Sequence, residues 1–398
     1  MGNGKSGGRK SVVCHQLWEK IVGMELSRAE VMASRIHAQQ LDRAEVPRAV
    51  TDAAIFDLGI QDSGRDGASW ALANRGVPMP GPEVLASADE LSLVWTLRGA
   101  PHFYRRANLL DVMVATSPLS ESDAGKRMFD ANRPLKAAEI GSREGLAEVA
   151  TQMRRIVKVP MVKGDVSSKL NGLLSTPYLR ECVPCGAIHV WELPFRLGAL
   201  YGGLELQPGT SPPVLRRIPD WPRRRSVGPA LEPGKAPEHL QPIRGYLRLL
   251  GPATPRDVAA FLDASVADIR ANWPADAVAV AVGGQQRWVL AAPQPAWPNP
   301  ELVRLLGPYD LLLQGKDRGL IVPDTAKHKG LWPTLGRPGA ILSGTDIIGT
   351  WRPKASGKKF TVTLDLWGRT PKTVRERIDG QAARLADHRG LTFAGTQT

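Results

Sequence analysis

The sequence predicts an α+β protein: three tandem winged-helix units followed by a small C-terminal β-rich sheet or barrel. Three observations predict it. Helix-period stretches are followed by alternating residues that read as hairpins, and this order recurs along the chain. No apolar run approaches the ~20 residues that a membrane-spanning helix needs. At 398 residues and 42% hydrophobic content, the chain is long enough for several cores and apolar enough to fill them.

In chain order, residues 1–24 read as a disordered Gly- and Lys-rich leader without the apolar stretch of a secretory signal. The first unit, 25–120, opens on Ser27-Arg28-Ala29-Glu30, a capping box in which serine and glutamate satisfy each other's backbone donors. Val31, Ile36 and Leu41 continue one helical face to about Arg43. In the second unit, 121–207, the face is Leu146, Val149, Met153 and Ile156. Val166 to about Ser175 reads there as a recognition helix, carrying Ser168 and Lys169, and Ile188, Val190 and Leu193 as a strand.

Residues 208–242 are rich in Pro and Gly and carry Arg216, Arg217 and the run Arg223-Arg224-Arg225. The run suits phosphate, which guanidinium grips bidentately, and equally suits a solvated linker. The third unit, 243–300, is the clearest. Tyr246 to Leu250 makes a first helix, Thr254-Pro255-Arg256-Asp257 caps a second, and Ser265 opens a third through Ile269 and Trp273. Val278 to Val282, Gly283-Gly284, and Arg287 to Leu290 then form a hairpin wing. In that order the third helix can enter a major groove, with Arg270 on it and Arg287 on the wing. The same grammar also serves plain packing.

From 301 to 398 the texture becomes about five short strands, among them Leu311-Leu312-Leu313, Leu320-Ile321-Val322, Ala340 to Leu342, Ile347 to Trp351 and Phe360 to Leu364. A last helix runs from Val374 to His388. Lysine and arginine number 52 against 39 acids, a net charge of +13 that fits either a polyanionic partner or an evenly basic surface. Three cysteines fit a reducing cytoplasm and argue against a disulfide framework. Cys182, Cys185 and His189 stand at zinc-like spacing but lack a fourth ligand, since Cys14 lies in the leader; two thiols on a wing are expected instead. No phosphate-loop or dinucleotide fingerprint is present, and Gly202-Gly203 and Gly283-Gly284 read as hairpin turns.

Several segments together resemble the tandem winged-helix family that contains the AlkZ- and YcaQ-type bacterial DNA glycosylases. They are Leu58-Gly59-Ile60-Gln61-Asp62, Trp70 to Arg75, Leu93 to His102, Leu305-Leu306-Gly307-Pro308-Tyr309-Asp310, and Ile348 to Arg352. The resemblance implies winged-helix units curved around duplex DNA and hydrolysis of the N-glycosidic bond of alkylated purines. A monomer acting in the cytoplasm, with neither cofactor nor metal, is expected. The family's glycosylases carry glutamine, an apolar residue, then glutamine or aspartate, where this chain has Gly59-Ile60-Gln61. Gln61 matches and Gly59 does not. Gln40-Leu41-Asp42 spells the variant pattern earlier in the chain, where it reads as chance.

The catalytic candidates are therefore Gln61, Asp62 and His102. An amide is too weak a base to deprotonate water, but its oxygen can orient one, and a cationic alkylated base departs neutral without a strong acid. Asp62 could tune or replace the amide, and His102 could assist or simply tie a strand to a helix end. The DNA-contact candidates are Arg98, Ser168, Lys169, Arg223, Arg224, Arg225, Arg270 and Arg287. The competing readings are a non-catalytic DNA-binding regulator or damage-recognition protein, in which Gly59 marks a lost site, and a protein-binding module.

Overall fold

The computed structural model describes residues 24–79, 81–222, 236–290 and 299–398. It is a mixed α and β molecule with strands in several separate sheets. Among the described residues no helix is long and apolar enough to cross a membrane. Residues 1–23, and with them most of the expected leader and Cys14, lie outside the described residues, as does the run Arg223-Arg224-Arg225.

The chain enters with Glu25–Leu26 pairing in parallel to Val278–Val282, so the first described residues extend the hairpin of the third unit. Ser27 then caps Arg28–Ala38 through the expected box, its backbone and hydroxyl bound to Glu30. This helix ends earlier than the apolar spacing suggested, because Gln40 turns left-handed at φ 62°.

A six-stranded sheet carries the region of interest. Its order is Ile60–Gln61, Pro101–Arg105, Leu91–Trp95, Leu204–Leu206, Val214–Arg217 and Met161–Val162. Strands from both sides of residue 120 thus share one sheet. Val214–Arg217 was expected within a linker. It forms a strand because Leu215 is buried opposite Leu206, while Arg216 pairs with Glu205 at 2.9 Å.

The second unit holds the helix Ser142–Ile156, the helix Lys163–Asn171 and the hairpin Leu179–Cys182 with Ala187–Val190. The second helix starts three residues before Val166, without the side-chain cap read there. Leu193, expected in the strand, belongs to the following helix Glu192–Tyr201. Gly202-Gly203 is a helix end leading into a strand rather than a hairpin turn, with Gly203 left-handed at φ 68° against Trp221. The third unit follows its reading closely: Pro242–Leu250, Pro255–Leu262 and Val266–Ala271 precede the hairpin Val278–Val282 and Gln285–Val289. Thr254 and Asp257 form a capping box, and Gly283 and Gly284 both take the positive φ of a tight hairpin turn.

The C-terminal sheet has five strands, but two differ from those expected. Leu311–Gln314 is a 3-10 helix capped by the Asp310 carboxylate, and Arg318–Ile321 is a helical turn. A short apolar run buried on all sides carries no periodicity to separate helix from strand. Their places are taken by Val303–Leu306 and Thr392–Gln397, which flank Gly339–Ser343, Asp346–Ser356 and Lys359–Leu366. The final helix, Lys372–His388, covers the sheet through Ile378, Ala382, Leu385 and Ala386.

Two buried ion-pair nodes weld distant segments. Arg75 grips Asp310 with two bonds of 2.8 and 2.9 Å, both side chains wholly buried, and also reaches Gln39. Trp70 and Asn74 both donate to the carbonyl of Leu305, so two of the segments that carried the family resemblance are one structural staple. Arg35, equally buried, holds Asp317, which is shared with Arg287 at 3.1 Å.

Candidate functional site

Gln61 is the last residue of the sheet's edge strand and stands opposite His102 in the antiparallel register. It is half-buried. Its amide donates to Ser63 Oγ at 2.9 Å, and its oxygen receives a long 3.4 Å contact from Arg98. That leaves the oxygen with unused acceptor capacity facing Arg98.

Arg98 sits at the tip of the turn joining Leu91–Trp95 to Pro101–Arg105, with a left-handed backbone at φ 59° followed by Gly99 at φ 66°. Such a conformation costs a non-glycine residue about 1–2 kcal/mol and persists where its surroundings enforce it. Here they do. The guanidinium donates to the Phe261 carbonyl at 2.6 Å and to Gln314 Oε1 at 2.6 Å, and lies 4.6 Å over the Phe261 ring. Arg98 was expected to contact DNA; its hydrogen bonds instead join the Gln61 strand to the third unit and to the C-terminal segment. Burial lowers its pKa, opposed by Asp263.

His102 is 2% exposed, and its imidazole is pushed down to about 3 by burial and by the adjacent Arg98. Its Nδ1 lies 2.9 Å from the Ala100 carbonyl and 3.1 Å from Thr96 Oγ1. A carbonyl only accepts, so Nδ1 carries the proton. Thr96 then gives its own hydrogen to Tyr104 at 3.2 Å, and Tyr104 donates to the Leu58 carbonyl at 3.0 Å. Burial and Arg98 disfavour the charged imidazole against the pull of the Ala100 carbonyl, and the donor chain fixes its tautomer, which argues against the titrating role considered for His102. It positions strand and turn.

The same network explains Gly59. Its φ is +81°, and a Cβ there would fall 2.3 Å from the Tyr104 ring carbon that bears the hydroxyl. The phenol fills the volume a side chain at 59 would need, and any side chain would also be strained by the left-handed backbone.

Asp62 follows Gln61, the last residue of the sheet's edge strand. Its carboxylate accepts from the Ala68 amide at 3.2 Å and lines a separate cleft of about 590 Å³ with Arg65, Asp66, Ser69 and Glu83. Burial, then nearby Asp66, raises its pKa against the pull of the Ala68 bond. Gln61 and Asp62 therefore do not share one pocket. Of the remaining candidates, Ser168 and Lys169 are carried on Lys163–Asn171, with Lys169 exposed, and Arg270 is exposed on Val266–Ala271. Arg287, expected to contact DNA, is largely buried and commits its guanidinium to Asp257 at 3.2 Å and Asp317 at 3.1 Å. Gln40 is held by the Ala54 amide and Asp42 by His37, so the earlier motif look-alike carries structural bonds.

Sequence reasoning missed the residues that gather around Arg98. Gln314 bonds Arg98 and the Tyr309 carbonyl, Arg337 lies 5.2 Å over the Tyr309 ring, and Arg318 lies 4.9 Å over Trp332. The basic residues were legible as charges, but reading 311–313 and 320–322 as strands hid their convergence. Among the described residues no group of three or more His, Cys, Asp or Glu could hold a metal ion.

No curated protein matches the sequence. The family model for AlkZ-like DNA glycosylases matches residues 57–388. Among solved structures, Streptomyces sahachiroi DNA glycosylase AlkZ is similar at a TM-score of 0.67 and 19% identity, covering 94% of this chain and 100% of that one. The chain belongs to the AlkZ-like DNA glycosylase family, a membership that makes it a DNA-repair glycosylase with DNA as its substrate.

Proposed function

We propose that the protein hydrolyses the N-glycosidic bond of alkylated purines in duplex DNA, with the Gln61 oxygen orienting the attacking water. The observation that carries this reading is the Gln61 carboxamide, held by Ser63 and approached by the Arg98 guanidinium, with an oxygen lone pair still free. Ring-nitrogen alkylation leaves the purine positively charged, so it leaves neutral and needs no strong acid. Water held under the sugar then supplies most of what the reaction lacks. Damaged bases also unstack at lower cost, which aids selection.

The three helix-and-hairpin units are read as winged helices along the duplex. Ser168, Lys169 and Arg270 are read as contacts from helix faces turned toward it. The protein is read as a monomer acting in the cytoplasm.

Incubation with duplex carrying N7-alkylguanine, followed by alkali, tests this. Base release and strand scission are expected, with Gln61→Ala reducing release roughly a hundredfold, the scale of losing one positioning contact. Gly59 favours a second reading, a damage-recognition protein without catalysis. Salt-sensitive binding to the same duplex with no release from the wild-type protein would establish that reading over the first.

A further inference from the structure

Around Arg98, which reaches the Gln61 oxygen, gather three further cations. Arg98, Lys316, Arg318 and Arg337 stand close enough for each to feel at least one of the others. None of the four forms an ion pair with an acid among the described residues, and Asp263, the acid acting on Arg98 and Lys316, lies beyond ion-pair distance of both. Three of the side chains are also held in place, and Lys316 is held through its backbone. Arg98 is bound to Phe261 and Gln314, Arg318 sits on Trp332, and Arg337 sits on Tyr309 and donates to Pro333. Lys316 is anchored through its backbone amide to the Tyr246 hydroxyl at 3.1 Å.

Converging cations repel one another unless an anion joins them. The placement also bears on the chemistry, because positive charge develops on the sugar as the glycosidic bond breaks. Bare cations gathered around Arg98 would oppose that charge. Cations holding a phosphate present it with a nearby negative charge instead.

We infer that Lys316, Arg318 and Arg337 form a subsite for a backbone phosphodiester of the DNA strand that carries the damaged base. The inference rests on the reading of Gln61 as the reacting centre and adds residues from the C-terminal segment to it. Lys316 gives the subsite a signature. Burial, then Arg98, lowers its amine to about 8, with Arg318 and Arg337 adding and Asp263 opposing. The free subsite therefore loses one cation as pH rises through that value.

The test is the salt dependence of binding by the full chain to a short duplex, read by fluorescence anisotropy. Each of Lys316→Gln, Arg318→Gln and Arg337→Gln is expected to flatten the slope of log affinity against log salt by about one. Lys316→Arg keeps the charge: it should keep the slope and remove the weakening of affinity above pH about 8. Thermal melts confirm that each variant is folded; because Lys316→Arg changes neither charge nor bulk greatly, its pH profile decides even if a glutamine variant unfolds. Intact binding with unchanged slopes and an unchanged pH profile would overturn the subsite alone. A wild-type protein that does not bind duplex would overturn the proposed function and the subsite together.

Discussion

Replacing Gly59 by glutamine restores the family pattern of two polar residues around an apolar one, and on sequence alone it should create a better enzyme. The structure predicts the reverse. Gly59 has φ +81°, and an added Cβ would lie 2.3 Å from Tyr104 Cζ and 2.5 Å from its hydroxyl. A left-handed non-glycine residue costs about 1–2 kcal/mol, and overpacking a filled site about 1–3 kcal/mol. Displacing Tyr104 also forfeits its bond to Leu58, about 1 kcal/mol. Gly59→Gln should thus lose roughly 3–6 kcal/mol of stability by denaturant unfolding. Gly59→Ala, which adds only the Cβ, should lose most of the same amount. Adding Tyr104→Ala to Gly59→Ala should recover the clash but not the backbone strain, giving a clear coupling in a double-mutant cycle. A Gly59→Gln protein as stable as wild type, releasing alkylated base faster, would refute this reasoning.

Three further outcomes follow from the same geometry. Asp310→Ala strands the buried Arg75 guanidinium and should cost about 3–5 kcal/mol, read by thermal melting; a change no larger than that of an exposed-residue control would refute its role as a staple. His102 has its imidazole depressed to about 3 when folded, against an ordinary value near 6.5, so its stabilising effect is present above 6.5 and lost as pH falls toward 3. His102→Gln should flatten the stability–pH curve in that window and leave base release less impaired than Gln61→Ala. The Asp62 carboxyl is raised by burial, so its ionised form is disfavoured in the fold at neutral pH. Asp62→Asn should raise stability there, the gain vanishing in acid, and should reduce base release less than Gln61→Ala does.

Local chemistry carried most of the legible structure. The capping boxes at Ser27 and Thr254, the Gly283-Gly284 hairpin and the helix ending at His388 all follow from patterns within a few residues of one another. What failed depended on burial from several sides. Leu311 to Leu313 and Leu320 to Val322 are apolar runs without period, and only Asp310 as a cap separates helix from strand in the first. Arg287 looked like a wing cation because its two acids come from elsewhere, Asp257 thirty residues earlier and Asp317 thirty later. The site showed the same division. Gln61 was found by its motif, whereas Gln314, Lys316, Arg318 and Arg337 gather around Arg98 only through the third dimension. Gly59 was read as a missing side chain, and only the Tyr104 ring reveals it as an occupied volume.

Why an amide rather than a carboxylate should stand at position 61 follows from Arg98. In Gln61→Glu the new carboxylate would face a guanidinium whose nitrogen already lies 3.4 Å from that oxygen, and it would lose the amide hydrogen that now binds Ser63. Charge attraction should draw the introduced carboxylate onto Arg98, away from the water, and hold its pKa below the usual carboxylate range. Its negative charge would also repel the phosphates of the approaching duplex. Gln61→Glu should therefore bind duplex more weakly and release base more slowly than wild type, even though a free carboxylate is the better base. The comparison is a single-turnover release rate at saturating protein, which separates weaker binding from slower chemistry. Faster release by Gln61→Glu would mean that the carboxylate escapes Arg98 and deprotonates the water itself, and the neutral amide would then be a limitation of this site instead of its design.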